Sequence, residues 1–232
     1  NMWSAQAPIY TVDGDTFSSD FSDDHSTRMI ELMDHMFANG TLAIEGLFTA
    51  DFPAAYKDKV LGIPGPTWFT GAIIQNPDIL NAPAGTWGAG YPLHWEGEDI
   101  ATGNVGGGFW YGSSHSKNLD AVAEFLQYAV SGPRSVELIT GLPAHEATAS
   151  EWLDVQASNG YWANEDTFKD VVSTAASNIW QGWGATLAFS SEPAWAEIVA
   201  PALASGGTIA SVVDEWQTRY ENDAQVNGYT VQ

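Results

Sequence analysis

The ionisable side chains are the first candidates for chemistry, and their spacing argues against catalysis and metal binding. The chain carries 29 aspartates and glutamates and five histidines. Hydrolysis of a glycosidic bond needs two carboxylates placed across a cleft, but with so many acids close pairs such as Asp23-Asp24 and Glu98-Asp99 carry no information. The histidines are ten or more residues apart and form no His-x-His or His-x-x-x-His ligand set. We therefore expect no enzyme activity, no metal site and no cofactor.

A glycine run and a serine pair could be mistaken for catalytic motifs. Gly106-Gly107-Gly108 is not followed by Gly-Lys-Ser/Thr, and bulky aromatic residues stand where a phosphate-binding helix would begin. Ser113 and Ser114 lie in no Gly-x-Ser-x-Gly sequence, so neither is marked as a nucleophile. We interpret the glycines as backbone freedom at a crossover and the serines as turn residues before a helix.

Aromatic residues are the more promising chemistry, because the chain has 11 tryptophans, 10 phenylalanines and 8 tyrosines. The run Gly65–Gly71 holds two of these rings in a proline-stiffened turn after a predicted strand, and loops at strand ends are where α/β sheets bind ligands. A flat indole face matches the apolar C–H face of a pyranose, and nearby hydroxyls and amides can bond its OH groups. Core packing is the alternative for each ring. The candidate ligand-contacting residues are Thr67, Trp68, Phe69, Gly106, Gly107, Trp110, Trp183 and Phe189.

The charge balance restricts the partners. Seven scattered basic residues against 29 acids give a formal net charge of −22, which repels nucleic acid and anionic membrane surfaces. A neutral or cationic ligand is favoured. The absence of cysteine excludes disulfides and thiolate metal sites. The sequence contains no run of 18 apolar residues, the length that would predict a membrane-spanning helix.

The elements that must position these residues are mostly helices. Apolar residues at helical spacing predict a helix from Arg28 to Phe37, between the acidic cap residues Ser22–Asp24 and the stop Asn39-Gly40. Short strands are predicted at Val60–Ile63, at Trp87–Leu93 and in the aromatic run Phe109–Tyr111. Further helices are predicted through Ala121–Val130 with Ser116 and Asn118 as caps, from Pro133, and through Phe168–Ala175, Trp195–Ala202 and Ile209–Trp216 with Thr208 as cap. Few strands among longer helices indicate an α/β protein rather than an all-β lectin.

Four stretches, taken in chain order, carry a resemblance to a known family. They are Ala7–Asp15, Lys59–Trp68, Gly103–Asn118 and Ala204–Tyr220. They resemble segments of the carbohydrate ABC-importer solute-binding proteins, the maltodextrin-binding-protein-like family. The first two resemble the family's hairpin before a helix and its aromatic Gly-Pro loop. The last two resemble the return crossover, with the pattern "GG, strand, SKN, then helix", and the closing helix. The resemblance covers most of the chain.

The resemblance implies a fold and a division of the chain. The expected fold is the α/β, periplasmic-binding-protein-like (class II) two-lobe fold, here a helix-rich fragment that lacks the first segment of the N-terminal lobe. Residues 1–103 would belong to the C-terminal lobe, residues 104–150 would cross the hinge into the N-terminal lobe, and residues 151–232 would return to the C-terminal lobe with the closing helices.

The resemblance also implies a function. The protein would bind a neutral sugar or oligosaccharide outside the cell and deliver it to the membrane permease of an ABC importer by lobe closure, without catalysis. It is expected to be an extracellular or periplasmic monomer, tethered to the membrane as a lipoprotein through a missing N-terminal region. Three alternatives stay open: a glycoside hydrolase with an aromatic-lined cleft, a structural or interaction module with its aromatics in the core, and a binder of peptides or polyamines.

Overall fold

The computed structural model describes residues 2–183 and 187–232. The regular elements are mostly helices, with three short strands, so the helix-rich α/β class predicted from the sequence is confirmed. The strands are β1 (Thr11–Asp13), β2 (Thr16–Ser18) and β3 (Thr230–Val231). The α-helices are α1 (Asp24–Ala38), α2 (Asp51–Tyr56), α3 (Leu119–Ser131), α4 (Ser135–Leu138), α5 (Glu146–Ala157), α6 (Glu165–Ser177), α7 (Glu192–Ala194), α8 (Ala200–Ala204) and α9 (Val213–Val226). π-helical turns lie at Thr70–Ile74 and Trp195–Val199, and 3₁₀ turns at Trp3–Ala5, Gln181–Trp183 and Ala210–Val212.

The chain forms two compact units, each built from separated stretches of sequence. Unit 1 comprises Asn1–Gly46, Pro92–Asn104 and Asn178–Gln232, and unit 2 comprises Leu47–Tyr91 and Val105–Ser177. The assignment of residues 1–103, 104–150 and 151–232 to the lobes of a longer protein stays a prediction.

The sheet of unit 1 has the order β1-β2-β3. Strands β1 and β2 form the antiparallel hairpin expected at the start of the chain, with Val12 opposite Phe17. Strand β3 joins β2 in parallel, so that the end of the chain closes onto its beginning, with Phe17 opposite Val231. The side chain of Phe17 is fully buried, which places the core of unit 1 against this sheet.

Helix α1 begins and ends where the sequence predicts. The Asp23 carboxylate accepts hydrogen bonds from the backbone N–H groups of His25 and Ser26, which satisfies two donors that an uncapped helix leaves free. The chain leaves the helix at Asn39 and turns at Gly40, whose φ is +73°. Ile30 and Met33 lie on the buried face.

The other helices of unit 1 confirm the predicted sequence pattern. Helices α7 and α8 are continuous through the π turn Trp195–Val199, which ends just before Pro201, a residue that cannot donate to a regular helical turn. Two side chains satisfy backbone N–H groups at the 3₁₀ turn Ala210–Val212, which leads directly into α9. Thr208 Oγ1 accepts from Ser211 N at 3.1 Å, and the Asp34 carboxylate of α1 accepts from the N–H groups of Ile209 and Ala210.

Unit 2 has its own core, formed mainly by α4, α5, α6 and the turn Thr70–Ile74. Trp152 of α5 is 2% exposed and its indole N–H donates to the Ile139 carbonyl at 3.0 Å. The ring of Phe168 stacks on Trp162 at 4.9 Å between centroids. Helix α5 was not predicted, because its buried residues Thr148 and Trp152 stand among alanine and polar residues and give little apolar periodicity.

The strands predicted at Val60–Ile63, Trp87–Leu93 and Phe109–Tyr111 are wrong, since the structure places none of these residues in a named strand. A strand needs a neighbour to pair with, and alternation in sequence cannot supply one. Leu61 is fully exposed, and Pro64 and Pro66 follow without N–H groups for a ladder. Trp87 forms an isolated β-bridge with Trp162, and the residues that follow it do not extend the pairing.

Candidate functional site

The loop that carries Thr67, Trp68 and Phe69 is a hydrogen-bonded turn in unit 2. Phe69 N donates to Pro66 O at 3.0 Å and Thr70 N to Thr67 O at 3.2 Å. The turn runs directly into the π turn Thr70–Ile74, whose Ile73 and Ile74 are buried. The aromatic residues therefore sit on an anchored segment rather than on a free loop.

Trp68 is half-buried and is fixed by contacts on several sides. Its indole N–H donates to the Val105 carbonyl at 3.2 Å. The Phe69 ring meets it edge-on at 4.6 Å between centroids, and the Phe48 ring lies nearly parallel to it, with centroids 6.2 Å apart. These contacts give the indole a defined orientation. The partners that make them are uncharged.

Two glycines permit this packing. A Cβ on Gly65 would lie 2.3 Å from the Phe69 ring, so only glycine allows that ring to pack directly against the backbone of residue 65. Gly106 has a φ of +81°, and a Cβ there would lie 3.2 Å from Trp68 Nε1. The structure thus brings Gly106 to the Trp68 loop.

A second loop, at residues 140–142, packs against the same turn. Thr67 Oγ1 accepts a hydrogen bond from the Leu142 N–H at 2.8 Å. A Cβ on Gly141 would lie 3.2 Å from the Trp68 Cβ, so this glycine allows the two loops to touch. We call the group Phe48, Thr67, Trp68, Phe69, Gly106 and Gly141 the Trp68 cluster.

The Trp68 cluster can present aromatic surface to a ligand. Its rings are half-buried or exposed, and Phe48 is 64% exposed. Aromatic rings that serve only to pack a core are usually buried. The arrangement suits stacking on an apolar ligand face.

Phe48 and Gly141 were missed at the level of sequence. Phe48 stands 20 residues before Trp68 and Gly141 stands 73 after it, so neither has a local signal linking it to the loop. A phenylalanine between the predicted elements, in Gly46-Leu47-Phe48, was the one available hint.

The remaining predicted residues of unit 2, Gly107 and Trp110, are exposed. Trp110 packs edge-on against Phe125 of α3, with ring centroids 6.0 Å apart. Gly107 is exposed, with a φ of +102° and no neighbour near the position of a Cβ. Their roles in ligand binding stay predictions.

Of the two predicted residues of unit 1, Phe189 packs against other residues of that unit. Phe189 is half-buried, and its ring lies against Phe17 and Tyr229, at 6.0 and 6.4 Å between centroids. Trp183 belongs to the turn Gln181–Trp183, but its side chain lies outside the described part of the chain, as does Gly184. Both remain candidates by sequence alone.

Trp95 of unit 1, unlike Trp68, lies beside charged side chains. The Arg28 guanidinium lies over the Trp95 ring, 4.5 Å from its centroid, and pairs through both of its terminal nitrogens with the Glu98 carboxylate. The hydrogen bond from Arg28 lowers the pKa of Glu98 and raises that of Arg28. This arrangement ties the segment Pro92–Asn104 to α1.

Two surface depressions lie away from the predicted residues. One of about 450 Å³ is lined by the end of α9 and by β3, and one of about 410 Å³ by Ser116–Ala121. Within residues 2–183 and 187–232, no three acidic or histidine side chains come together as a metal site. The helices described there are too short or too polar to cross a lipid bilayer.

Comparison with known proteins identifies a structural relative. No protein-family model matches the chain, and no curated protein matches it. Among solved structures, it is similar to the ABC transporter associated binding protein from B. animalis subsp. lactis Bl-04, determined in complex with beta-1,6-galactobiose. The TM-score is 0.75 at 15% sequence identity, and the match covers 100% of this chain and 59% of that one. For the fold, this confirms the resemblance to carbohydrate ABC-importer binding proteins, and the chain spans about three fifths of the relative's length.

Proposed function

We propose that this protein binds a neutral sugar or oligosaccharide for uptake by an ABC importer and does not alter it. The observation that carries the proposal is the half-buried indole of Trp68, held in a fixed orientation among uncharged groups. The fold shared with a binding protein that was solved with a disaccharide supports it.

The chemistry of the Trp68 cluster suits a sugar better than it suits the other ligands considered. A pyranose offers an apolar C–H face to an indole and OH groups to nearby carbonyls and hydroxyls. Polyamines and basic peptides would use the acidic surface instead, since the net charge is −22. The partners of Trp68 that the structure describes are uncharged, so a cation at this ring would find no carboxylate among them and would have only the aromatic faces to bind.

The wider cycle is part of the same proposal. The protein would be the ligand-binding part of a class II two-lobe fold, in which closure around the sugar produces the form that docks on a membrane permease. It would work as a monomer in the extracellular or periplasmic space and be tethered to the membrane as a lipoprotein. The expected site residues besides the Trp68 cluster are Gly107, Trp110, Trp183 and Phe189.

Titration of tryptophan fluorescence tests the proposal. Neutral mono- and oligosaccharides, beginning with beta-1,6-galactobiose, would be added to the folded protein while melting temperature is followed in parallel. We expect saturable binding of at least one sugar. Replacement Trp68→Ala should raise its dissociation constant about 10- to 100-fold, because stacking on the ring is lost.

Two variants serve as controls. Trp68→Phe keeps an aromatic face and loses the hydrogen bond to Val105, so it should retain part of the affinity. Trp87→Ala removes a half-buried tryptophan from the same unit but outside the cluster, and should leave affinity within about twofold of the wild type. Equal loss of affinity in Trp68→Ala and Trp87→Ala would mean that the effect is one of stability.

Two other outcomes would reject the proposal. No response to any sugar from a protein with a cooperative melting transition would leave the aromatics as packing residues. Shortened products in the same sugar mixtures, detected by chromatography, would identify a glycoside hydrolase, which needs a carboxylate pair about 5 to 10 Å apart.

A further inference from the structure

The dipeptide Asn-Gly occurs three times, each time exposed and just after the end of a helix. The pairs are Asn39-Gly40 after α1, Asn159-Gly160 after α5 and Asn227-Gly228 after α9. In such a pair the backbone nitrogen of the glycine can attack the side-chain amide of the asparagine, because glycine has no Cβ to crowd the approach. The reaction needs no enzyme and no reactant other than water. In a folded protein its rate depends on how each pair is held.

In two of the three pairs the glycine nitrogen is engaged in a hydrogen bond. Gly40 N donates to the Phe37 carbonyl at 3.1 Å. Gly228 N donates to the Gln225 carbonyl, also at 3.1 Å. Gly160 N makes no hydrogen bond with any residue that the structure describes. A nitrogen whose proton is held by a carbonyl must break that bond before it can react, so the Gly160 nitrogen has the advantage over the other two.

The side chain of Asn159 is held in place and polarised. Its Oδ1 accepts a hydrogen bond from the Tyr161 N–H at 2.9 Å, and its Nδ2 donates to Gln156 Oε1 at 3.1 Å. The first bond folds the amide back over the peptide units that follow, and a fixed orientation removes part of the entropy cost of ring closure. The Tyr161 N–H also stabilises the negative charge that develops on Oδ1 when a nitrogen attacks the carbon beside it.

We propose that Asn159-Gly160 is a site of spontaneous deamidation, faster than the other two pairs. The Gly160 nitrogen forms a bond to Asn159 Cγ, the Cγ–Nδ2 bond breaks, and ammonia leaves with the proton that the Gly160 nitrogen has lost. Water then opens the cyclic imide at one of its two carbonyls. Opening at the side-chain carbonyl gives aspartate. Opening at the backbone carbonyl gives isoaspartate, in which the main chain runs through Cγ.

The modified residue would lie next to the core of unit 2. The Tyr161 carbonyl accepts from Gly85 N at 2.7 Å, and the following residue, Trp162, stacks on Phe168 with centroids 4.9 Å apart. Either product adds a negative charge beside these contacts. Isoaspartate also adds a carbon to the main chain between α5 and Trp162, so the modification changes the length of a connection that is anchored on both sides.

Timed incubation followed by mass spectrometry tests the proposal without any sugar, so its outcome is independent of the proposed function. Trypsin places the three pairs in separate peptides, Met29–Lys57, Ser135–Lys169 and Tyr220–Gln232. Deamidation raises a peptide's mass by ~1 Da, fragment ions assign the residue, and a sample digested before incubation gives the background. In the folded protein at mildly alkaline pH, Asn159 should react about tenfold faster than Asn39 or Asn227, a factor comparable to the net free energy of one hydrogen bond.

Incubation in guanidinium chloride separates the effect of structure from that of sequence. With the turns unfolded, the three asparagines should react at rates within about threefold of one another, since each is followed by glycine. Asn159→Gln should abolish the change in its peptide, because a glutamine would have to close a larger and less favourable ring. Asn39→Gln, the matched control in an equally exposed pair, should leave the reaction of Asn159 unchanged.

Three results would overturn the proposal. Equal rates for the three asparagines in the folded protein would mean that the free Gly160 nitrogen gives no advantage. A tenfold preference for Asn159 that persists in guanidinium chloride would mean that neighbouring residues set the rate and the turn does not. A mass change in Ser135–Lys169 that survives Asn159→Gln would place the reaction at another residue.

Discussion

Two aromatic clusters of similar make-up lie in the two units and differ in their burial. In unit 1, the Trp216 ring lies 4.6 Å from Phe21 and 6.1 Å from Tyr220 between centroids, and all three residues are at most 4% exposed. In unit 2, Trp68 and Phe69 are half-buried and Phe48 is 64% exposed. The first cluster has the burial of a core, and the second is partly open to solvent.

The neighbours of the clusters explain the difference. Trp216 and Tyr220 stand four residues apart on α9, so one helix face carries both into the core beside the sheet. Burial raises the pKa of Tyr220, as expected where water is excluded. Trp68 stands on a turn, and its neighbours come from three separate loops that leave part of the ring uncovered. Composition alone therefore does not distinguish a core ring from a binding ring.

Removal of one tryptophan from each cluster gives the largest expected contrast. Trp216→Ala should lower the free energy of unfolding by about 3 to 5 kcal/mol, because it opens a cavity in a closed core. Trp68→Ala should lower it by about 1 to 2 kcal/mol, since much of that ring is already in contact with water. Urea denaturation followed by circular dichroism measures both. Trp216→Phe, which keeps most ring contacts, should lose clearly less than Trp216→Ala. Equal losses for the two alanine variants would remove the distinction between the clusters.

A smaller effect is expected at the hydrogen bond that joins two loops of the Trp68 cluster. Thr67→Val is nearly isosteric and removes the acceptor of the Leu142 N–H. The free energy of unfolding should therefore fall by about 1 kcal/mol. Sugar affinity should fall as well, because the turn that carries Trp68 loses a support. Thr67→Ser keeps the hydroxyl and is the matched control for both measurements. If Thr67→Val matched the wild type in stability and affinity, the second loop would have no part in holding the cluster.

The smallest effect is expected at Trp95. The Arg28–Glu98 ion pair contacts this ring, whereas the partners of Trp68 are uncharged. The hydrogen bond from Arg28 keeps the pKa of Glu98 below the ordinary value of 4.5. A lowered pKa in the folded state stabilises the protein above the unfolded-state pKa, and this contribution disappears as the pH falls through the folded-state pKa. Glu98→Gln should therefore melt slightly below the wild type at about pH 7, and the difference should shrink as the pH falls and Glu98 of the folded wild type becomes protonated. Melting curves at a series of falling pH values decide it, with Glu96→Gln, a nearby exposed carboxylate, as the control.

Helices were predicted from sequence with more success than strands, for a physical reason. The helix Asp24–Ala38 has its cap at Asp23, its stop at Asn39-Gly40 and its apolar stripe in one continuous stretch. The segment Val60–Ile63 has strand-like residues but no adjacent strand, and its Leu61 points fully into solvent. A helix satisfies its own backbone, whereas a strand depends on a partner that the local sequence does not name.

The candidate site shows the same limit. The Gly65–Gly71 run was recognised because a proline-stiffened turn with two aromatic rings is visible in one stretch. The contacts of Trp68 with Phe48, with the Val105 carbonyl and with Gly141 join residues 20, 37 and 73 positions away. No periodicity links such positions.

The sequence by itself determined the charge, several of the helices, the cap of α1 and the aromatic residue types, because composition and local spacing set these properties. Only the tertiary structure decided which rings are buried. Trp216 became a core residue because its helix face meets the β1-β2-β3 sheet region, and Trp68 stayed partly open because glycines and turns surround it. Burial depends on what distant segments bring to a side chain, and long-range packing is the information that a single stretch of sequence does not hold.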